Sequence, residues 1–213
     1  MRLGIVLLWC LFILGVTGAL RGPLNLLRAR ARPVAALMLL TLLLNAFPVS
    51  VTPELTINPA ALAFCVGIGA ITEVDTPNLA LAFALSSITG ALMALANRLI
   101  GIYAAGFIEP GLLLALTCLP FALFFRSVPA TGLTLAALSP LFMSLYEAGM
   151  ELRAFGYAVL TFGGPVAFDT QICAVCLCGI SLLCVTPKKR TAPRPNGRVY
   201  GSLPEAKTPK KLR

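Results

Sequence analysis

The feature that most constrains this chain is a succession of uncharged apolar runs, each as long as a bilayer is thick. Residues 3–20, 34–51, 79–96 and 128–146 contain no Asp, Glu, Lys or Arg. A helix needs about 20 apolar residues to cross the ~30 Å hydrocarbon layer. Strands of a membrane barrel would alternate polar and apolar positions, and these runs do not. The composition agrees, with 58% hydrophobic and only 12% charged residues and a mean hydropathy of +0.90. That is too little charge to cover a soluble domain of 213 residues. The expected fold class is all-α, a polytopic helical membrane protein of about seven spans.

The expected spans are 3–20, 34–51, 57 to the polar stretch at 72–78, 79–96, 112–125, 128–146 and the long apolar region 154–185. Residues 99–108 are too few to cross alone and suit an interfacial or bent segment. The last region is too long for one straight crossing. Gly163-Gly164-Pro165 and Asp169-Thr170-Gln171 interrupt it, which predicts a half-span followed by a full helix, a broken or re-entrant end.

Charge sets the expected orientation. Arg21, Arg28, Arg30 and Arg32 follow the first span, and nine Lys or Arg against Glu205 fill the segment from Pro187. Basic residues stay on the cytoplasmic side. Seven crossings place both clusters there, with the N-terminus outside, the C-terminus cytoplasmic and Arg126 inside. Arg98, outside, and Glu73 with Asp75, inside, run against the trend. A cleaved signal peptide over the first span is the alternative, since Thr17-Gly18-Ala19 is small-residue-rich, but it would leave four arginines outside. Two parts result: a transmembrane bundle over 1–185 and a basic, disordered cytoplasmic tail over 186–213. The tail is expected to act as a topology anchor, and the sharper alternative is attraction to anionic lipid headgroups, at ~1 kcal/mol per basic residue near the surface. Nucleic acid is not an expected partner, because the net charge of +9 is confined to these flanking clusters.

Asp169 is the most informative single residue. An ionised carboxylate deep in a span costs at least ~2.5–3.5 kcal/mol, so it needs a partner, a proton or water. Gly163 and Gly164 permit irregular backbone, and Pro165 suits the first turn of a helix. Helices that start inside the membrane build the ion and substrate sites of many secondary transporters. The competing reading has Asp169 capping its own helix at the surface. Thr56-Ile57-Asn58-Pro59 repeats the device, so Asn58 is either a second lining residue or an ordinary cap. The candidate ion- or substrate-binding residues are therefore Asp169, Asn58, Gly163, Gly164 and Thr170. Glu73 with Asp75, and Glu109 before Pro110, fit solvated turns, with Arg98 a possible partner of Glu109.

The seven cysteines sit mostly in apolar runs and serve as small apolar filler. Cys173 and Cys176 share a helix side, but Cys178 points elsewhere, so neither a metal nor a cofactor is expected. No nucleophile–base pair or phosphate loop is present, histidine is absent and no lysine precedes Lys188, so an enzyme is not expected. Small residues at Gly67, Gly69 and Gly90 favour close helix packing and make a homo-oligomer plausible.

The stretch Gly163-Gly164-Pro165-Val166-Ala167-Phe168-Asp169 resembles the glycine-pair, then Phe-Asp, signature of an uncharacterised family of bacterial multi-pass membrane proteins. Gly163, Gly164, Phe168 and Asp169 match, whereas Pro165, Val166 and Thr170 stand where smaller residues are expected. Residues 57–62 are faintly similar to an earlier Asn-containing part of that family. The resemblance covers about a tenth of the chain and implies a bacterial inner-membrane location. The function expected from the residues is a small transporter or permease-like protein with Asp169 as its carboxylate. The rival is a membrane scaffold or assembly factor whose polar residues cap and pack helices.

Overall fold

The computed structural model describes residues 3–20, 23–24, 31–72, 74–103 and 109–185. The basic tail 186–213, most of the arginine-rich loop and Glu73 lie outside them. The protein is mostly helical, with a small three-stranded sheet at one end.

Helix α1 spans Leu3–Thr17 and α2 spans Ala31–Leu44. They pack where Gly15 lets the backbones close, since a Cβ there would lie 3.1 Å from that of Ala35. Strands β1 (Val49–Thr52) and β2 (Leu55–Ile57) follow, then α3 (Pro59–Ile71). α2 and α3 run antiparallel, because Gly67 meets Leu37 near one end and Asn58 meets Asn45 near the other. Next come α4 (Thr76–Tyr103), α5 (Pro110–Leu116), α6 (Leu119–Phe124), α7 (Pro129–Phe155), β3 (Leu160–Phe162) and α8 (Pro165–Val185). The helices α3, α5, α7 and α8 each begin on a proline, whose missing N–H costs nothing in a first turn.

α5 and α6 form one interrupted descent. Pro120 has no N–H to offer the carbonyl of Leu116, and Thr117 and Cys118 tighten to bond Leu114 and Ala115, both at 3.1 Å. The return they make is required by their neighbours. Ser86 reaches the Leu135 carbonyl at 3.3 Å and Asn97 donates to Glu147 at 2.6 Å, so α4 and α7 ascend together and run parallel. α8 is central, packing on α1, α5, α6 and α7. It runs antiparallel to α7, with Gln171 bonded to Ala137 and Leu182 close to Gly132.

Among the described residues three helices are long and apolar enough to cross a membrane: Thr76–Leu99 within α4, α7 and α8. α1, α2, α3 and the α5–α6 pair are apolar but shorter, at 10–17 residues. Seven full-length crossings are thus more than the helix lengths establish.

Two expectations change. The span at 34–51 stops at Leu44 and continues as a strand, because Pro48 breaks the helix and Val-Ser-Val-Thr is β-branched and alternating. The last apolar region is not a broken helix either. Its first part is the strand Leu160–Phe162 and its second an uninterrupted helix of 21 residues. The polar group at 169–171 lies inside that helix, where side-chain bonds accommodate Thr170 and Gln171.

The sheet order is β1-β2-β3, antiparallel then parallel. Its rows alternate in character. Val49, Ile57 and Phe162 lie in one row, and Ser50, Thr56 and Thr161 in the next, so in these two rows apolar and hydroxyl side chains take opposite faces, while beyond the register shift Thr52 joins the row of Leu55 and Leu160.

Candidate functional site

Two matching strand–proline–helix units stand side by side at this end of the bundle. Leu55-Thr56-Ile57 pairs in parallel with Leu160-Thr161-Phe162, and the Asn58 N–H extends the ladder to the Phe162 carbonyl at 2.9 Å. Each strand then turns into a helix, α3 at Pro59 and α8 at Pro165. Asn58 caps α3, its Oδ1 accepting from the Ala60 N–H at 3.0 Å. Its Nδ2 donates to Asn45 Oδ1 at 3.2 Å, tying the start of α3 to the end of α2.

Gly163 makes the corresponding turn for α8. It has φ +69°, and a Cβ there would overlap that of Ala61 in α3. Both the left-handed backbone and the close approach call for glycine. Gly164 donates to the Thr161 carbonyl at 3.1 Å and accepts from the Phe168 N–H at 2.8 Å, which makes it the residue that opens the helix. Asn58 and Gly163 are thus neighbours, with 3.5 Å between the Asn58 Cβ and a Cβ built on Gly163.

Asp169 sits one turn inside α8 and is only 7% exposed, so it does not cap its own helix. Its neighbours are glycines. A Cβ on Gly4 of α1 would fall 2.7 Å from Asp169 Oδ1 and 2.8 Å from its Cα, and one on Gly111 of α5 would fall 3.3 Å from its carbonyl carbon. Three helices therefore close around the carboxylate. Its depth follows from the pairing of α8 with α7. Gln171 bonds Ala137, so in an antiparallel pair Asp169 falls near the level of Ser139. That level is about 15 Å from the Pro129 end of α7 and about 24 Å from the Phe155 end, at ~1.5 Å per residue. Thr170 is buried, but its hydroxyl is spent on the Val166 carbonyl at 2.7 Å.

The structure divides the expected site. Asn58, Gly163 and Gly164 belong to the strand–helix turns, whereas Asp169 faces α1 and α5. The Asn58 side chain reaches Ala60 and Asn45, and the glycines that close on Asp169 come from α1 and α5. Asn58 spends its side chain on capping and on Asn45, so it is a fastening residue.

Gln171 is the polar residue that sequence reasoning passed over. It is fully buried, and its Nε2 donates to the Ala61 carbonyl of α3 at 3.1 Å and the Ala137 carbonyl of α7 at 2.8 Å. Its Oε1 has no hydrogen-bond partner among the described residues. Two residues along a helix rotate the side chain by about 200°, so Asp169 and Gln171 address opposite sides of α8. The available signal was an uncharged amide in an otherwise apolar run, a polar cross-link of the kind membrane helices use. Ala137 lies beside Pro140, which interrupts the ladder of α7, and carbonyls nearby take side-chain donors: Leu135 from Ser139 at 2.8 Å and Pro140 from Ser144 at 3.3 Å.

No protein-family model, curated protein or solved structure matches this chain.

Proposed function

We propose that this chain is a small transporter or permease-like membrane protein in which Asp169 is the proton- or cation-binding carboxylate. The observation that carries the reading is the burial of Asp169 well inside the length of the longest helices, at the junction of α1, α5 and α8. A carboxylate at such depth costs at least ~2.5–3.5 kcal/mol, and residues that bear this cost in membranes mark ion and proton pathways. Helix directions support seven alternating passages with the C-terminus cytoplasmic. The starts of α2 and α7, near Arg32 and Arg126, lie at the end where α8 finishes at Val185, while Glu147 and Arg153 approach the opposite end. In this reading the membrane is the plasma membrane, and the basic tail at 186–213 meets anionic headgroups there.

One observation favours the scaffold reading. Glycines press directly on Asp169, which is how helices are packed together as well as how a site is closed. The test is a single cysteine, Asp169→Cys, in a version of the protein whose native cysteines are replaced and whose folding is verified. Membrane-impermeant thiol reagents are applied from each side. Labelling from both sides supports alternating access. No labelling in a folded protein sinks the aqueous-site reading, and labelling from the outer side alone transfers the case to the scaffold.

A further inference from the structure

The sheet carries a surface that the buried site does not use. Just before and along its outer strand, Phe47, Val49 and Val51 are 69%, 51% and 56% exposed, and Ser50 between the two valines is polar. This apolar edge continues an outward stripe on α2, where Ala36, Leu39, Leu40 and Leu43 are exposed at helical spacing. α2 has 14 residues. At ~1.5 Å per residue it reaches about 21 Å, roughly 9 Å short of the hydrocarbon thickness. The apolar surface facing lipid therefore runs past the helix end towards the headgroups, where the strand continues it.

We infer that Phe47, Val49 and Val51 form an interfacial anchor, with the side chains inserted among phospholipid acyl chains and the strand backbone at headgroup level. The depth is set by the backbone. Among the described residues the outer edge of β1 has no strand beside it, and hydrocarbon does not tolerate such an edge, whereas the hydrated boundary does. The same edge is poorly suited to pairing with a second copy of the chain. Pro48 precedes it, Pro53 ends it after four residues, and the register shifts between Ser50 and Thr52. On the other flank of the sheet, Phe155 and Tyr157 are each 72% exposed in the segment that enters β3. Aromatic residues at this level form the belt that fixes a membrane protein's vertical position.

The experiment uses the full chain in phospholipid vesicles, with Trp9→Phe removing the sole native tryptophan. Val49→Trp, Phe47→Trp and, from the hydroxyl face, Ser50→Trp are then compared. Val49→Trp and Phe47→Trp are expected to emit at short wavelength and to lose emission when lipids brominated near the headgroup end of the acyl chain are used. Ser50→Trp is expected to emit at long wavelength and to be quenched by aqueous iodide instead. Two results overturn the inference. One is iodide quenching of Val49→Trp and Phe47→Trp without bromolipid quenching, which places the edge in water. The other is short-wavelength emission insensitive to both quenchers, which places a protein surface over it. Phe47→Trp is a near-conservative change and keeps the test readable should Val49→Trp fold poorly.

Discussion

Replacing Gln171 by leucine should cost little, and replacing it by glutamate should cost a great deal. The amide makes two interhelical hydrogen bonds, to Ala61 and Ala137, and leaves Oε1 without a partner among the described residues. Interhelical bonds in membranes average about 0.6 kcal/mol each, so Gln171→Leu forfeits ~1 kcal/mol. It also removes a buried carbonyl whose unsatisfied state costs about 1–3 kcal/mol, and leucine has nearly the same bulk. Ala61 and Ala137 lie within helices, so their carbonyls keep acceptor roles in the ladder. The net change for Gln171→Leu should lie within ~1 kcal/mol of zero. Gln171→Glu sets an acceptor against two carbonyl oxygens and buries a charge, at a cost of about 3 kcal/mol or more at neutral pH. The assay is reversible unfolding in mixed micelles, followed by far-ultraviolet circular dichroism. A Gln171→Leu protein as damaged as Gln171→Glu would refute the reasoning, since it would mean that the amide supplies far more than two ordinary bonds.

Gly163→Ala must adopt a left-handed backbone and overlap Ala61, and should lose more than ~2 kcal/mol, whereas Gly156→Ala, equally left-handed but in open space, should lose only about 1–2 kcal/mol. Thermal unfolding of the two proteins in one detergent separates clash from backbone strain. Gly4→Ala presses on Asp169 and should cost about 1–3 kcal/mol, while Gly69→Ala, which meets nothing within 4 Å, should be neutral or gain up to ~1 kcal/mol. Asn58→Ala should cost ~1 kcal/mol through the lost cap and leave thiol labelling at position 169 unchanged, because Asn58 fastens α3 and does not line the carboxylate site. A change in labelling there would reunite the two halves of the site.

The helical membrane character of the chain was legible because uncharged runs of the required length leave few alternatives. The helix starts at Pro59 and Pro165 were legible too, since proline after a turn residue has one comfortable place. The strands were harder to see. Leu55-Thr56-Ile57 and Leu160-Thr161-Phe162 are apolar enough to pass for membrane helix, and the second pairs only with the first, across about a hundred intervening residues. Local pattern cannot report a partner that distant. Asp169 stood out because charge is rare in such a run. The helices that enclose it could not be read, since Gly4 and Gly111 look like any other small residues until the fold brings them to it. Gln171 was overlooked for the complementary reason: an uncharged amide is inconspicuous in sequence, and its weight comes from the two carbonyls it reaches.

The parallel pairing of β2 with β3 also has a consequence for the order in which the molecule is completed. Strand β2 emerges from the ribosome early, while its partner comes just before α8. Until then Leu55-Thr56-Ile57 has only the short β1 beside it, and the N–H of Asn58 must wait for the Phe162 carbonyl. Closing so long a loop is slow and comes late. The arrival of α8 therefore acts as a latch on a helix six elements earlier, and a chain stalled before residue 160 would hold the start of α3 by Asn58 and β1 alone.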